Sequence, residues 1–110
     1  MHEMKLKDWA FDSIKNGFKT IEMRLNDEKR KLVKIGDIIE FSNIETNEKL
    51  KVCVINLHYF NTFEDLYKNF DKVKLGYKES DIASPSDMDI FYSKEEQEKY
   101  GVLGIEIKLK

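Results

Sequence analysis

Four polar side chains capable of chemistry lie close together near the start of the chain: Lys19, Thr20, Glu22 and Arg24. A lysine acts as a base or nucleophile when burial lowers its pKa, and an arginine presents a planar fork of N–H donors to a phosphate or a base edge. A carboxylate between them can accept from an exocyclic amine or orient the lysine. These residue types in one short stretch indicate a site for phosphate or carbonyl oxygens.

The stretch that carries these side chains alternates between apolar and polar residues, which predicts a β-strand. Ile21, Met23 and Leu25 fall on one face, and the polar residues fall on the other. Because a polar face is costly inside a core, we expect it to line solvent or a polar cleft, and we favour the cleft. A simpler interpretation is also open. Lys19 would then be a surface lysine at a helix C-terminus, and Glu22 and Arg24 an exposed pair worth about 0–1 kcal/mol.

Basic residues are concentrated around this strand. Seven lysines and arginines against three acids between residues 15 and 34 give +4, in a chain whose net charge is −2. Lys29 and Arg30 belong to the basic turn that follows the strand. A basic patch on an acidic body favours an anionic partner, although such a run is also often plain solvated surface. Trp9 and Tyr59 are the aromatic residues that we expect to stack on a base.

The remaining pattern predicts the order β-α-β-β-β-α-α-α-β. Asp8 is expected to cap the first helix, and Gly17 to end it at about Asn16. Thr62 and Ser93 begin later helices. The links between strands are too short for parallel crossovers, so the expected fold class is α+β: a small mixed β-barrel of about five strands with peripheral helices.

Length and composition describe one domain over residues 1–110 with a heavily charged surface, since 36% of the residues are charged and 41% apolar. No apolar run is long enough to span a membrane, a secretory signal is not expected, and the single cysteine, Cys53, is expected in the core. We therefore expect a cytoplasmic protein without cofactor or metal. The oligomeric state stays open.

Three motifs together resemble the ASCH domain family, whose members are PUA-like β-barrels. They are Gly17-x-Lys19-Thr20-Ile21-Glu22-x-Arg24, then Gly36-Asp37-x-Ile39-x-Phe41, then Gly101-Val102-x-Gly104-Ile105. The resemblance covers nearly the whole chain, and its first motif is the most specific. It implies a cleft beside the first helix, lined by Lys19, Thr20, Glu22 and Arg24, that binds RNA or a nucleotide.

One bacterial branch of that family hydrolyses the amide of N4-acetylcytidine with a Lys, a Thr and a Glu. The resemblance aligns its Lys with Lys19 and its Thr with Glu22, and it assigns no residue to its Glu.

Two functions from different classes follow. The first is a module that binds RNA, a nucleotide or a modified nucleoside. The second is a small hydrolase of an acylated nucleoside or an RNA phosphodiester, with Lys19 as base or nucleophile and Glu22 as proton shuttle. The environment of Lys19 separates them: a buried Lys19 beside a carboxylate favours the hydrolase, and a solvated Lys19 favours the binding module.

Overall fold

The computed structural model describes residues 1–110 as five strands, three α-helices and two 3-10 helices. In chain order these are β1 (His2–Leu6), α1 (Asp8–Lys15), β2 (Ile21–Leu25), a 3-10 helix (Arg30–Leu32), β3 (Ile38–Asn43), β4 (Lys49–Phe60), α2 (Phe63–Asn69), a 3-10 helix (Pro85–Ile90), α3 (Lys94–Tyr100) and β5 (Val102–Leu109). The predicted order is confirmed, and the third of its four predicted helices is the 3-10 helix that starts at Pro85.

The strands form one mixed sheet in the order β1-β3-β4-β5-β2. Only β1 and β3 are parallel, and the other neighbours are antiparallel. The sheet curls into a half-barrel with the helices around it, which confirms the α+β class and fits a PUA-like barrel. Its two edge strands are β1 and β2, the strands on either side of α1 in the sequence. The chain therefore brings both edges of the sheet to the same helix.

Local capping explains where most helices begin. The Thr62 hydroxyl accepts from the Asp65 backbone N–H, and Ser93 forms a reciprocal capping box with Glu96. The expected cap of α1 is wrong, because Lys7 occupies that position and offers no capping side chain. Asp8 instead begins the helix, and its carboxylate accepts from the Asn43 side chain on β3 at 2.8 Å. Asp8 thus ties α1 to the sheet.

Two apolar clusters form the interior. The larger packs α1 against β1, β3, β4 and β5, with Phe11, Ile39 and Phe41 fully buried. The smaller lies between β2, α2 and the 3-10 helix that starts at Pro85, and includes Phe63, Leu66 and Met88. Cys53, which was expected in the core, is only half-buried. No helix of the structure is long and apolar enough to cross a membrane.

Candidate functional site

Strand β2 places a charged network on its second face. Glu22 accepts from Arg24 Nε and from Arg24 Nη2, both at 2.8 Å from its Oε2 atom. Arg24 Nη2 also donates to the backbone carbonyl of Lys5 on β1 at 2.9 Å. The Glu22 side chain is only 6% exposed and that of Arg24 only 12%. The interpretation of Glu22 and Arg24 as an exposed ion pair is therefore wrong, because protein encloses almost all of both side chains.

Lys19 completes the network from the segment before β2. It is 4% exposed, and its Nζ atom lies 3.3 Å from Glu22 Oε1 and donates to the Leu75 carbonyl at 2.9 Å. The turn that contains Leu75 is attached to the same segment, because the Lys74 carbonyl accepts from the backbone N–H groups of Thr20 and Ile21. The interpretation of Lys19 as a solvated surface lysine is wrong.

A glycine lets this turn close over the lysine. Gly76 has φ of +104°, and a Cβ atom there would lie 3.0 Å from Lys19 Cδ and 3.3 Å from a ring carbon of Trp9. Both the backbone conformation and the lack of space disfavour any other residue. Gly76 therefore fixes how tightly the turn covers the aliphatic stem of Lys19.

The burial of these groups shifts their protonation. Burial lowers the pKa of Lys19, and the neighbouring charge of Glu22 offsets part of this effect. Burial alone would raise the pKa of Glu22, but the charges and hydrogen bonds of Arg24 and Lys19 outweigh it, so that the pKa of Glu22 is lowered. For Arg24, burial alone would lower the pKa, but the charge of Glu22 outweighs burial, so that the pKa of Arg24 is raised. Glu22 is consequently ionised at neutral pH.

The two hydrogen-bond partners of Lys19 leave one position on its Nζ atom unoccupied. A carbonyl oxygen and a carboxylate can only accept, so two N–H bonds of Lys19 point at Leu75 and Glu22. A protonated Lys19 has a third N–H bond left for a ligand, and a neutral Lys19 has a lone pair there. Lys19 also lines the adjoining pocket.

The pocket above the network has a volume of about 130 Å3. Its walls are apolar and aromatic, with Trp9 on α1 and Met88, Phe91 and Tyr92 from the 3-10 helix Pro85–Ile90 and the residues after it. Two exposed lysines also line it: Lys5 on β1, and Lys7 between β1 and α1. Lys7 Nζ lies 5.3 Å from the centre of the Phe91 ring. The sequence reasoning missed these two lysines, although their position just before Trp9 was a usable signal.

The structure brings four of the eight predicted site residues into this pocket: Lys19, Glu22, Arg24 and Trp9. Thr20 lines a different pocket, which is also lined by Lys19 and by residues at the end of β5. Tyr59 lines a different cleft, next to α3. Lys29 and Arg30 do not line the pocket, and a ligand role for these four stays a prediction.

Most of the basic run is neutralised by acidic neighbours. Lys15 pairs with Glu48 at 2.6 Å, Arg30 with Asp27 at 3.4 Å and Lys31 with Glu28 at 3.3 Å. Among its seven bases, only Lys29 and Lys34 make no ion pair. The net charge of +4 therefore does not form one continuous basic surface.

The structure also has no group of three or more His, Cys, Asp or Glu side chains placed to hold a metal ion.

Comparison with known proteins gives the same family as the motifs. The ASCH domain model matches residues 4–110. The crystal structure of the hypothetical protein PH0355 is 35% identical, covers 98% of this chain and 97% of its own, and superposes with a TM-score of 0.78. The solution structure of protein PF0455 from Pyrococcus furiosus is also 35% identical, with 98% and 96% covered and a TM-score of 0.70. No curated protein shows significant similarity to the chain.

Proposed function

Because this chain belongs to the ASCH domain family, we propose that it binds RNA or a nucleotide by placing one base in the pocket above Lys19, Glu22 and Arg24. The observation that carries the proposal is the pairing of a buried charged floor with aromatic walls in one small pocket. Nucleobases match both parts, because they have flat faces and a polar edge. The nucleic-acid-related binding that is general in the family supports the same class of ligand.

The size and charge of the pocket define the mode of binding. A volume of about 130 Å3 is well below the roughly 300–1,000 Å3 of pockets that enclose drug-sized ligands. One ring fits inside, and the sugar and phosphate stay outside. Lys5 and Lys7 are exposed and lie where they can meet that phosphate.

The floor of the pocket selects polar groups that accept hydrogen bonds. Lys19 has one position left for a ligand, whereas the Glu22 oxygens already accept from Lys19 and from Arg24. A carbonyl oxygen or ring nitrogen of the base edge is therefore the preferred partner of a protonated Lys19.

The proposal is tested with a panel of nucleoside monophosphates, modified nucleosides and short single-stranded RNAs, scored by thermal stabilisation and by calorimetry. Binding to the parent protein is expected to fall by at least tenfold in Lys19→Met, which keeps the aliphatic stem and removes the charge. Phe18→Met is the matched control, because Phe18 is 63% exposed and lies outside the pocket. Equal affinity of both variants for every binding probe would remove the pocket from the proposal.

Hydrolysis of an acylated nucleoside is the second candidate, and the environment of Lys19 favours it. Lys19 is buried beside a carboxylate, which is the condition that separates the hydrolase from the binding module. In this mechanism a neutral Lys19 takes a proton from water, and the resulting hydroxide adds to the acyl carbon. The C–N bond then breaks, and the leaving amine takes the proton back from Lys19.

Glu22 has a different role in this mechanism from that of a proton shuttle. Its lowered pKa keeps it ionised and its oxygens are held by Arg24, so it orients Lys19 instead of donating a proton. The test is product formation from N4-acetylcytidine and other acylated nucleosides. Lys19→Arg should abolish turnover because an arginine stays protonated, while a folded variant that still binds the nucleoside separates chemistry from binding. Turnover retained in Lys19→Arg contradicts the assignment of Lys19 as the base.

A further inference from the structure

A second cleft, about 840 Å3 in volume, lies beyond the end of β2, between the end of β4, α2 and α3. Its lining is polar and aromatic and includes Asn26, Tyr59, Asn61, Lys68, Lys99 and Tyr100. It shares no residue with the pocket above Lys19. Tyr59, which the sequence predicts to stack on a base, therefore belongs to this cleft and not to the pocket above Lys19.

We infer that this second cleft binds a further base of a single-stranded RNA whose first base occupies the pocket above Lys19, an inference that rests on the proposed function. The ligand would then be an oligonucleotide and not a mononucleotide. The residues Tyr59 and Asn61 would provide the contacts with the second base.

The chemistry of the cleft fits a neutral flat ring with a polar edge. Tyr59 is an aromatic residue of β4 that is 60% exposed. The Asn61 side chain makes no hydrogen bond, and Asn26 Oδ1 is buried at the cleft without a partner. Amide groups read the donors and acceptors of a base edge, and tyrosine faces stack on bases of any sequence.

The balanced charge of this cleft favours contacts with bases over contacts with phosphates. The two lysines that line it are matched by two acids, Asp65 and Glu98. Lys99 also lies over the ring of Tyr100, with its Nζ atom 5.2 Å from the ring centre. A cleft without net charge gains little from counterion release, so its affinity must come from stacking and hydrogen bonds.

Strand β2 connects the two sites. Arg24 on β2 lines the first pocket, and Asn26, just past the end of β2, lines the second, so that roughly 7 Å of extended backbone separates the two residues. The backbone N–H of Asn26 donates to the Gly101 carbonyl, which fixes this residue at the start of β5. In the proposed complex the RNA strand passes from one site to the other along the end of β2.

The test compares nucleoside monophosphates with fluorescein-labelled RNA homopolymers and one mixed sequence, each two to eight nucleotides long. The oligonucleotides are expected to bind the parent protein more tightly than the monophosphates. Tyr59→Ala should weaken oligonucleotide binding by about 5- to 150-fold, the range for one stacked base, and leave monophosphate binding unchanged. Tyr59→Phe should retain the affinity, because it keeps the aromatic face.

Controls make failure of the two proposals distinguishable. Phe18→Ala removes an equally exposed aromatic side chain outside both sites and should leave oligonucleotide binding unchanged. If Tyr59→Ala behaves like Phe18→Ala while Lys19→Met still weakens binding, the second site is overturned and the first stands. If the parent binds no RNA and no monophosphate, both proposals fail. If the second cleft binds RNA, the NMR signals of the Asn26 and Asn61 side-chain amides should shift on addition of oligonucleotides and not on addition of monophosphates.

Discussion

Arg24 on β2 donates a hydrogen bond from Nη2 to the backbone carbonyl of Lys5 on β1, at 2.9 Å. These strands are the two edges of the sheet, and they are not paired with each other. One side chain thus bridges the open side of the half-barrel, and the pocket above Lys19 lies at that bridge. The same guanidinium neutralises Glu22 together with Lys19, so Arg24 contributes both to the closure of the half-barrel and to the charge balance of the site.

Arg24→Ala is expected to destabilise the fold by about 3–5 kcal/mol, the cost of removing one partner of a buried ion pair. Arg24→Lys keeps the charge but loses the fork that reaches both Glu22 and Lys5, so we expect an intermediate loss. Chemical unfolding measures both. Lys31→Ala is the control, because its pair with Glu28 is exposed and should contribute at most about 1 kcal/mol. A loss for Arg24→Ala no larger than for the control would contradict a buried network.

The ionisation of Glu22 should make the free energy of unfolding depend on pH in the acid range. Burial opposes its charged form, but Arg24 and Lys19 hold its pKa below the unfolded value of about 4.3. A carboxyl group whose pKa is lower in the folded state than in the unfolded state stabilises the fold, and this stabilisation is complete at pH values above the unfolded pKa. The stabilisation is lost as the pH falls through the folded pKa. The difference in unfolding free energy between the parent protein and Glu22→Gln should therefore shrink below about pH 4. Urea unfolding between pH 7 and pH 3 measures it.

The control for this pH dependence is Glu28→Gln, since the Glu28 side chain is 84% exposed. Its difference from the parent should stay within about 0.5 kcal/mol throughout the range. A difference for Glu22→Gln that does not change with pH would mean that the pKa of Glu22 is the same in the folded and the unfolded protein, which would contradict the buried charged network.

Two glycines with positive φ should respond differently to alanine. Gly17 has φ of +83° and no atom within 4 Å of the place where a Cβ atom would lie, so Gly17→Ala should cost only the backbone strain, about 1–2 kcal/mol. Gly76→Ala carries the same strain and also places a methyl group 3.0 Å from Lys19 Cδ. Thermal unfolding should show the larger loss for Gly76→Ala, and only this variant should weaken ligand binding. Equal effects on binding would show that the turn does not position Lys19.

Salt should weaken nucleotide binding only modestly. The basic run is largely paired with acids, so Lys5 and Lys7 are the main candidates for phosphate contacts in the pocket. About two contacts on a single strand give a log–log slope of roughly −1 to −2. The slope should fall toward zero in the double variant Lys5→Gln/Lys7→Gln. A much steeper slope that this variant leaves unchanged would place the phosphates elsewhere, for example at Lys29 and Lys34.

Sequence periodicity was sufficient for the strands, since the apolar face of β2 is buried as the alternation of Ile21, Met23 and Leu25 predicts. It could not show that the polar face is buried as well. That burial comes from the turn at Leu75 and Gly76 and from the aromatic residues after Pro85, which are more than 50 residues away in sequence. Counting charges along the chain also misjudged the basic run. The count does not show that five of the seven bases make ion pairs, one of them with Glu48 from outside the run.

The most direct test of the central claim is an NMR titration of the 15N-labelled protein with the best-binding RNA or nucleotide. We expect the largest shifts to cluster at the Trp9 indole N–H, the Arg24 Nε–H and the backbone of residues 5–7, and to disappear in Lys19→Met. Shifts that leave these groups unchanged while others move, or shifts that persist in Lys19→Met, would contradict a ligand site above Lys19, Glu22 and Arg24.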